Sequence, residues 1–350
     1  MLCLSETRVL FNRQSKINYH NMDFKNYYHV LASALLILSF GACGKQSEQD
    51  GGSGGFPADR LIRVSAEVTP ATKGTYSTET LNEFDLFIKS GNSKYSYTNT
   101  KFTKNEAGEW EPARQMLWAG KNVGFEYLAV APPLQTGGHS LSDDPICEFT
   151  VESEQTKGSC ASDLLWAGFK NLTPEENLTQ DGKMKIEFTH ALTLLKVRLT
   201  LSTEFNHGGV PTDNPIKDVV IGGFDRKVTL TPSDDNLPKL NAAGDAGSIS
   251  AYELEWKRAV DEAGNDDRTK NCVVTYECIV VPKMMSAFTV DFICNGKPYT
   301  YKATGSFPFM CGNSYLLPLT VGKDEVILSG EIAATPWEAG NGEGENIETD

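Results

Sequence analysis

After Cys43 the sequence holds three histidines and six cysteines whose chemistry needs accounting. A histidine working as acid or base needs a convergent partner within hydrogen-bond reach. His139 lies in a Gly-rich stretch, His207 precedes Gly208-Gly209, and His190 begins a strand-like run; no carboxylate or nucleophile is spaced from any of them to single out a catalytic set. The cysteines are Cys147, Cys160, Cys272, Cys278, Cys294 and Cys311, with no C-x-x-C among them. Zinc and dithiol redox chemistry therefore have no support. In an exported chain these six could form disulfides in several pairings. Cys272 and Cys278 sit on one strand face about 20 Å apart and cannot bond each other, and buried cysteines also serve simply as small apolar residues. Gly51-Gly52-Ser53-Gly54-Gly55 matches G-x-S-x-G, but a nucleophile elbow needs a buried strand before it and a helix after it; here the run reads as linker. Asp261 to Asp267 is acidic yet lacks the calcium-loop spacing and reads as a solvated turn. No residue set calls for a metal or cofactor, and the sequence gives no positive sign of an enzyme.

Two residues suggest covalent processing instead. Residues 1–21 are polar and patternless, and the signal anatomy places the translation start at Met22. Lys25 supplies a positive n-region, Val30 to Phe40 an apolar h-region, and Gly41-Ala42 precede Cys43. The h-region has about 11 residues where a membrane span needs about 20, so cleavage before Cys43 is expected. Small-small-Cys resembles a bacterial lipobox, with Phe40 where Leu is usual. Cys43 would then carry a diacylglycerol thioether and acyl chains such as palmitate, each buried methylene adding about 0.8 kcal/mol of membrane affinity. Downstream, Thr69-Pro70-Ala71-Thr72-Lys73-Gly74-Thr75 is a turn-rich connection in which Lys73 offers a cut site to a trypsin-like protease.

The elements that must position these residues are strands. A length of 350 residues favours two domains. Strand formers alternate with Gly/Asn/Asp/Pro turns, and no amphipathic helical run stands out, so the fold reads as all-β sandwiches. We divide the chain into a signal region (1–42), a lipidated N-terminus with flexible tether (43–59), an N-terminal β-sandwich domain (60–182), a C-terminal β-sandwich domain (183–337) and a flexible tail (338–350). Leu61 to Val68 alternates cleanly, with Ile62, Val64, Ala66 and Val68 on one face; burying the three larger ones yields roughly 5–9 kcal/mol gross. Further strands are expected at 84–89, 94–102, 109–118, 123–131, 146–151, 183–188 and 196–201. In the second half they are expected at 216–224, 227–231, 249–256, 272–281, 287–294, 298–303 and 313–321. The last runs from Val326 to Ala334, with Val326, Leu328 and Ile332 sharing a face.

The net charge is -14, and the part from Cys43 onward carries 28 Lys/Arg against 44 Asp/Glu. So acidic a surface repels phosphate backbones and anionic membranes, which argues against nucleic acid as a partner.

Several stretches form an ordered series. They are the lipobox-like end and tether, the strand Leu61–Val68 with Thr72-Lys73-Gly74 after it, and Met116-Leu117-Trp118-Ala119-Gly120-Lys121 followed by Phe125 to Pro132. The most specific piece is Asp163-Leu164-Leu165-Trp166-Ala167 with Ile186-Glu187-Phe188-Thr189-His190-Ala191-Leu192. Gly312-Asn313-Ser314-Tyr315 with Leu317 and Leu319, then Pro336-Trp337-Glu338, complete the order. In that order the stretches resemble the fimbrillin family of Bacteroidales surface pilins. The resemblance implies two transthyretin-like β-sandwich domains and a type V pilus subunit, lipid-anchored in the outer membrane at least as a precursor. It implies a protease cut in the loop after the first strand, loss of that strand, and its replacement by a neighbour's C-terminal strand. Leu61–Val68 would be the outgoing strand and Val326–Ala334 the donor; the partners would be other pilin subunits and host or bacterial surface ligands. Family members often carry Arg where this chain has Lys73, and an Arg-specific protease would leave the chain uncut, as an anchor subunit is. Two other readings stay open. One is a lipid-anchored glycan-binding protein with Trp110, Trp118, Trp166 or Trp256 as a stacking platform. The other is an anchored β protein that never polymerises.

Overall fold

Alternating apolar residues dominate most of the strands of this chain. The computed structural model describes residues 55–69 and 76–337; Cys43, Lys73 and the tail from Glu338 lie outside them. The first half holds β1 (Arg63–Val68), β2 (Glu83–Ser90), β3 (Tyr97–Lys104), β4 (Trp110–Pro112), β5 (Phe125–Ala131), β6 (Cys147–Thr150), β7 (Leu165–Leu172), the single helical turn α1 (Pro174–Asn177) and β8 (Lys183–His190). All these strands except β6 make one seven-stranded sheet in the order β1-β8-β7-β5-β2-β3-β4. The sheet curls until its ends meet. Ile62 donates its N–H to Met116 O (3.0 Å), and Trp118 donates to Arg60 O (2.8 Å). Successive side chains on a strand point to opposite faces. One face, with Val64, Phe84, Leu86, Phe102, Tyr127, Ile186 and Phe188, therefore fills the enclosed core. Phe84 is its centre, stacked on Phe102 and edge-on to Trp110 and Phe188.

The second half holds β9 (Thr193–Leu201), β10 (Ile216–Thr231), β11 (Lys239–Ser250), β12 (Tyr252–Lys257), β13 (Cys272–Val280), β14 (Lys283–Cys294), β15 (Lys297–Phe309), β16 (Asn313–Val321), β17 (Val326–Leu328) and β18 (Ala333–Pro336). One sheet runs β11-β10-β14-β15; the other runs β12-β13-β9-β16, with β17 and β18 both on the outer edge of β16. Val197, Leu199, Val274, Leu317 and Leu319 from one sheet meet Ile221, Phe224, Val228, Val290 and Phe292 from the other. This is a β-sandwich core. The same apolar cluster reaches Phe87, Leu128, Val130 and Trp166, on the reverse face of the first sheet. The two halves thus share a continuous apolar layer, and the described residues fall within one compact unit.

Sheet membership differs from the sequence division at residue 182/183. β8 lies after that point but belongs to the first sheet, between β1 and β7. β6 lies before it but pairs with β10 of the second half, Leu230 opposite Cys147 through Lys227 opposite Thr150. The chain changes sheets at Ala191-Leu192, after β8. Several pairings join strands far apart in sequence, and that of β6 with β10 is one that a sequence reading has no way to see.

Other strands also depart from expectation. Residues 94–102 begin as a 3-10 turn at Ser93–Tyr95, and only Tyr97 onward is strand. The run 109–118 is strand only at Trp110–Pro112; Ala113 N–H still reaches Lys101 O at 2.8 Å, and the chain then bends away. β10 is continuous where two strands were expected, and its register against β11 shifts between Gly222 and Phe224 and again between Asp225 and Lys227. The expected strand 249–256 is divided between the end of β11 and β12. The expected strand 326–334 is split into β17 and β18. β16 carries Pro318 where the ladder should continue, and Ser329 N–H instead reaches Pro318 O at 3.0 Å.

Replacing Phe84 by Ala should lower stability by about 3–5 kcal/mol, since three aromatic neighbours lose their partner and cannot close the void. Phe169→Ala, at a residue 46% exposed, should change it by less than about 1 kcal/mol. Urea denaturation followed by tryptophan fluorescence measures both.

Candidate assembly interface

β1 is the element whose removal the chain could survive as a covalent chain, so its attachments matter most. It runs parallel to β8, Arg63 opposite Lys183 through Val68 opposite Phe188. Its apolar face points inward: Ile62, Val64 and Val68 are each 3% exposed, and Ala66 is half-buried against the same core. Its outer face is polar. Glu67 stands opposite Glu187, a like-charge pairing that costs stability, and Lys185 lies between them, 2.8 Å from Glu67 and 2.5 Å from Glu187. Such exposed pairs contribute little, so the apolar face and the backbone ladder hold β1. Just before the strand, Arg60 caps the carbonyls of Trp118 and Ala119 with its guanidinium. Asp59 pairs with Arg63, whose hydrogen bond, with the Leu61 N–H, brings the carboxyl down to about 2. Trp118 Nε1 beneath this junction is the one buried side-chain N or O without a hydrogen-bond partner among the described residues.

β8 depends on β1 in turn. With β7 it pairs only at Thr189 and His190, opposite Trp166 and Leu165. Over residues 183–188 its strand partner is β1, aided at one end by Leu178 bridging Met184 and by Thr179 N–H bonding Lys183 O.

The candidate donor lies at the far end of the chain, on the edge of β16. Val326 and Ile332 are half-buried, Leu328 is 41% exposed, and Ile327 is also largely exposed. All four residues of β18 are exposed. Ile332 and Ala334 border an apolar cleft with Phe307, Phe309, Met310 and Tyr315, about 410 Å³ in volume. Most of this segment is held by backbone bonds to β16, and its apolar side chains are poorly covered at home. The exception is Trp337, 4% exposed. Burying an indole of 150–250 Å² contributes roughly 4–6 kcal/mol gross.

Trp337 stacks on His190, ring centroids 4.0 Å apart and planes 9° from parallel. The His190 side chain is itself buried, with Nδ1 2.8 Å from Asp163 Oδ1. Asp163 Oδ2 accepts the backbone N–H of Tyr76 at 3.1 Å. This cluster joins the exit of the 70–75 connection, the end of β8 and the C-terminal segment. The sequence held a signal for it: His190 shares strand parity with Met184, Ile186 and Phe188, so it had to face inward, and a buried histidine needs a partner. Nothing in the sequence named Asp163 or Trp337 as that partner.

The tryptophans considered for glycan stacking are engaged in the fold. Trp118 and Trp166 are buried, while Trp110 is half-buried against Phe84 and Lys104. Trp256 is half-buried and donates to Thr212 O at 3.4 Å. The six described cysteines are free thiols, with Cys147, Cys272, Cys278 and Cys294 buried and Cys311 exposed. Burial pushes the Cys147 thiol up to about 12 and the Cys294 thiol to about 11, which removes them as nucleophiles at neutral pH. Asp261 closes its loop by accepting N–H bonds from Ala263 and Asn265, an ordinary Asx turn. Among the described residues no group of three or more His, Cys, Asp or Glu could hold a metal ion.

No curated protein matches the sequence. Among solved structures, a candidate cell adhesion protein from Bacteroides uniformis is similar at a TM-score of 0.54 and 20% identity, over 80% of this chain and 100% of its own. A second, from Bacteroides ovatus, is similar at a TM-score of 0.56 and 13% identity, over 80% of this chain and 99% of its own. At such identities the likeness is one of fold, and it is a β-sandwich fold. The fimbrillin-like family model matches residues 69–337, well over half of the sequence, from the end of β1 to the buried Trp337, and the chain belongs to that family.

Proposed function

We propose that this chain is a subunit of a cell-surface fimbria, exported as a lipoprotein on Cys43 and assembled by strand exchange. A cut after Lys73 separates β1 from the rest of the chain, and the C-terminal segment of a neighbour takes its place beside β8. Membership in the fimbrillin-like family supports a structural and adhesive role in a pilus. The observation that carries the assembly reading is the position of β1. It precedes the 70–75 connection, pairs with a single strand along its length, and buries Ile62, Val64 and Val68 in the core. Its departure leaves an apolar trough and a row of unpaired backbone groups on β8, which an alternating strand can satisfy. The segment 326–337 offers Val326, Leu328 and Ile332 on one face, with spacing like that of Ile62, Val64, Ala66 and Val68. A neighbouring pilin subunit is thus the main partner.

A second reading rests on Lys73. The connection 69–75 holds no arginine. If the maturing protease requires arginine, the chain stays uncut and lipid-anchored, which suits a subunit at the base of the pilus.

Intact-mass analysis and gel laddering of protein shed from cells separate the two. A chain starting at Gly74 in detergent-resistant multimers is the expected result, lost in Lys73→Ala. A chain starting at acylated Cys43 and always monomeric would refute polymerisation. Leu328→Asp with Ile332→Asp should abolish the ladder, while Leu328→Asp alone changes monomer stability by less than about 1 kcal/mol, because that side chain is largely exposed at home.

A further inference from the structure

This inference rests on the strand-exchange reading and concerns its order of events. We propose that loss of β1 unlatches the subunit's own C-terminal segment, through β8 and the His190–Trp337 stack. A subunit would then become able to donate only after it has become able to accept.

Three observations converge on it. First, β8 is held over residues 183–188 by β1, and β7 takes over only at Thr189 and His190. Without β1, the backbone of residues 185–188 has no strand partner among the described residues, and stretches with unpaired backbone open readily. Second, His190 lies two residues beyond Phe188, the last residue of β8 that pairs with β1. Its ring is placed by Asp163, whose other carboxylate oxygen holds Tyr76 at the exit of the 70–75 connection. A cut in that connection makes Tyr76 part of a fraying terminus and threatens the second support of the same carboxylate. Third, Trp337 is the one side chain of residues 333–337 that is buried, and its ring lies flat on His190.

The backbone around the stack follows the same route. Ala191 N–H bonds Leu164 O, Gly312 N–H bonds Leu192 O, and Trp337 N–H bonds Gly312 O, at 2.7–2.9 Å. Residues 190–192, where the chain passes from the first sheet to the second, therefore support the C-terminal segment through both ring and backbone. When β8 loosens, His190 loses its fixed position, Trp337 loses the surface it lies on, and β18 frays from β16. An incoming strand restores the order of β8 in the accepting half, after the donor has already been released.

The test is hydrogen–deuterium exchange on the full chain carrying a site-specific protease sequence in place of residues 70–75. Cleavage and dilution release the β1 peptide, verified by intact mass. Amides of 326–337 should then exchange at least ten-fold faster, while those of β13 stay protected. Unchanged exchange in 326–337 after β1 has left would overturn the coupling. With β1 in place, His190→Ala should speed the same amides, and His190→Phe, which keeps a flat ring, should restore them; a His190→Ala chain with wild-type exchange would also overturn it. Ladder formation by the cleaved chain reports separately on strand exchange. A loosened segment without ladders keeps the coupling and refutes exchange, whereas ladders formed by a segment that stays protected refute the coupling.

Discussion

The parallel ladder between β1 and β8 is the contact on which the first half of the molecule turns. A sheet of seven strands gains its cohesion from pairing on both sides of each strand, and β8 has a strand on one side at a time: β1 over residues 183–188 and β7 at Thr189 and His190. The ladder with β1, and the apolar face carrying Ile62, Val64 and Val68, hold β8 against the core of Phe84, Ile186 and Phe188. An outer face of Glu67, Glu187 and Lys185 adds little strength. A strand bound this way is held firmly by its buried face and only weakly by its exposed charges.

The second half is built differently. Its sandwich is filled from both sheets by long strands with regular alternation, and the apolar layer continues past Ile146 and Cys147 to the reverse face of β2, β5 and β7. The strand β6, sent across from the first half to β10, ties the two together. Disturbance of β1 and β8 therefore falls first on the enclosed first core, which holds Ile62, Val64, Val68, Ile186 and Phe188. The weakly covered C-terminal segment lies at the opposite end of the chain but in contact with the end of β8, through His190 and Trp337.

How much of this was legible follows from the physics of each strand. β1, β8, β9 and β16 bury one face and expose the other, so a period of two is written in their residues. β11 (KLNAAGDAGSIS) buries only Ile249, so there was no pattern to read. β15 extends past Gly305 and through Pro308, residues that ordinarily stop a strand. The break between β17 and β18 is set by Pro318 on the neighbouring strand, beyond the reach of any local reading. For the candidate interface, the faces of β1 and of the C-terminal run were legible by parity. The buried cluster of Asp163, His190 and Trp337 was not, because it joins residues 27 and 147 positions from His190 in the chain, and spatial convergence over such distances leaves no local mark.

The edge strand β11 has one further consequence. Its outer edge is long, poor in bulky side chains and largely unguarded by lysine or proline, features that invite other chains to add on. Its register against β10 slips twice, and Gly244 takes a φ of 92°, so the strand coils instead of lying straight. A foreign strand could follow such a contour for only a few residues. On a crowded surface, where many like molecules stand side by side, that curvature discourages lateral sticking.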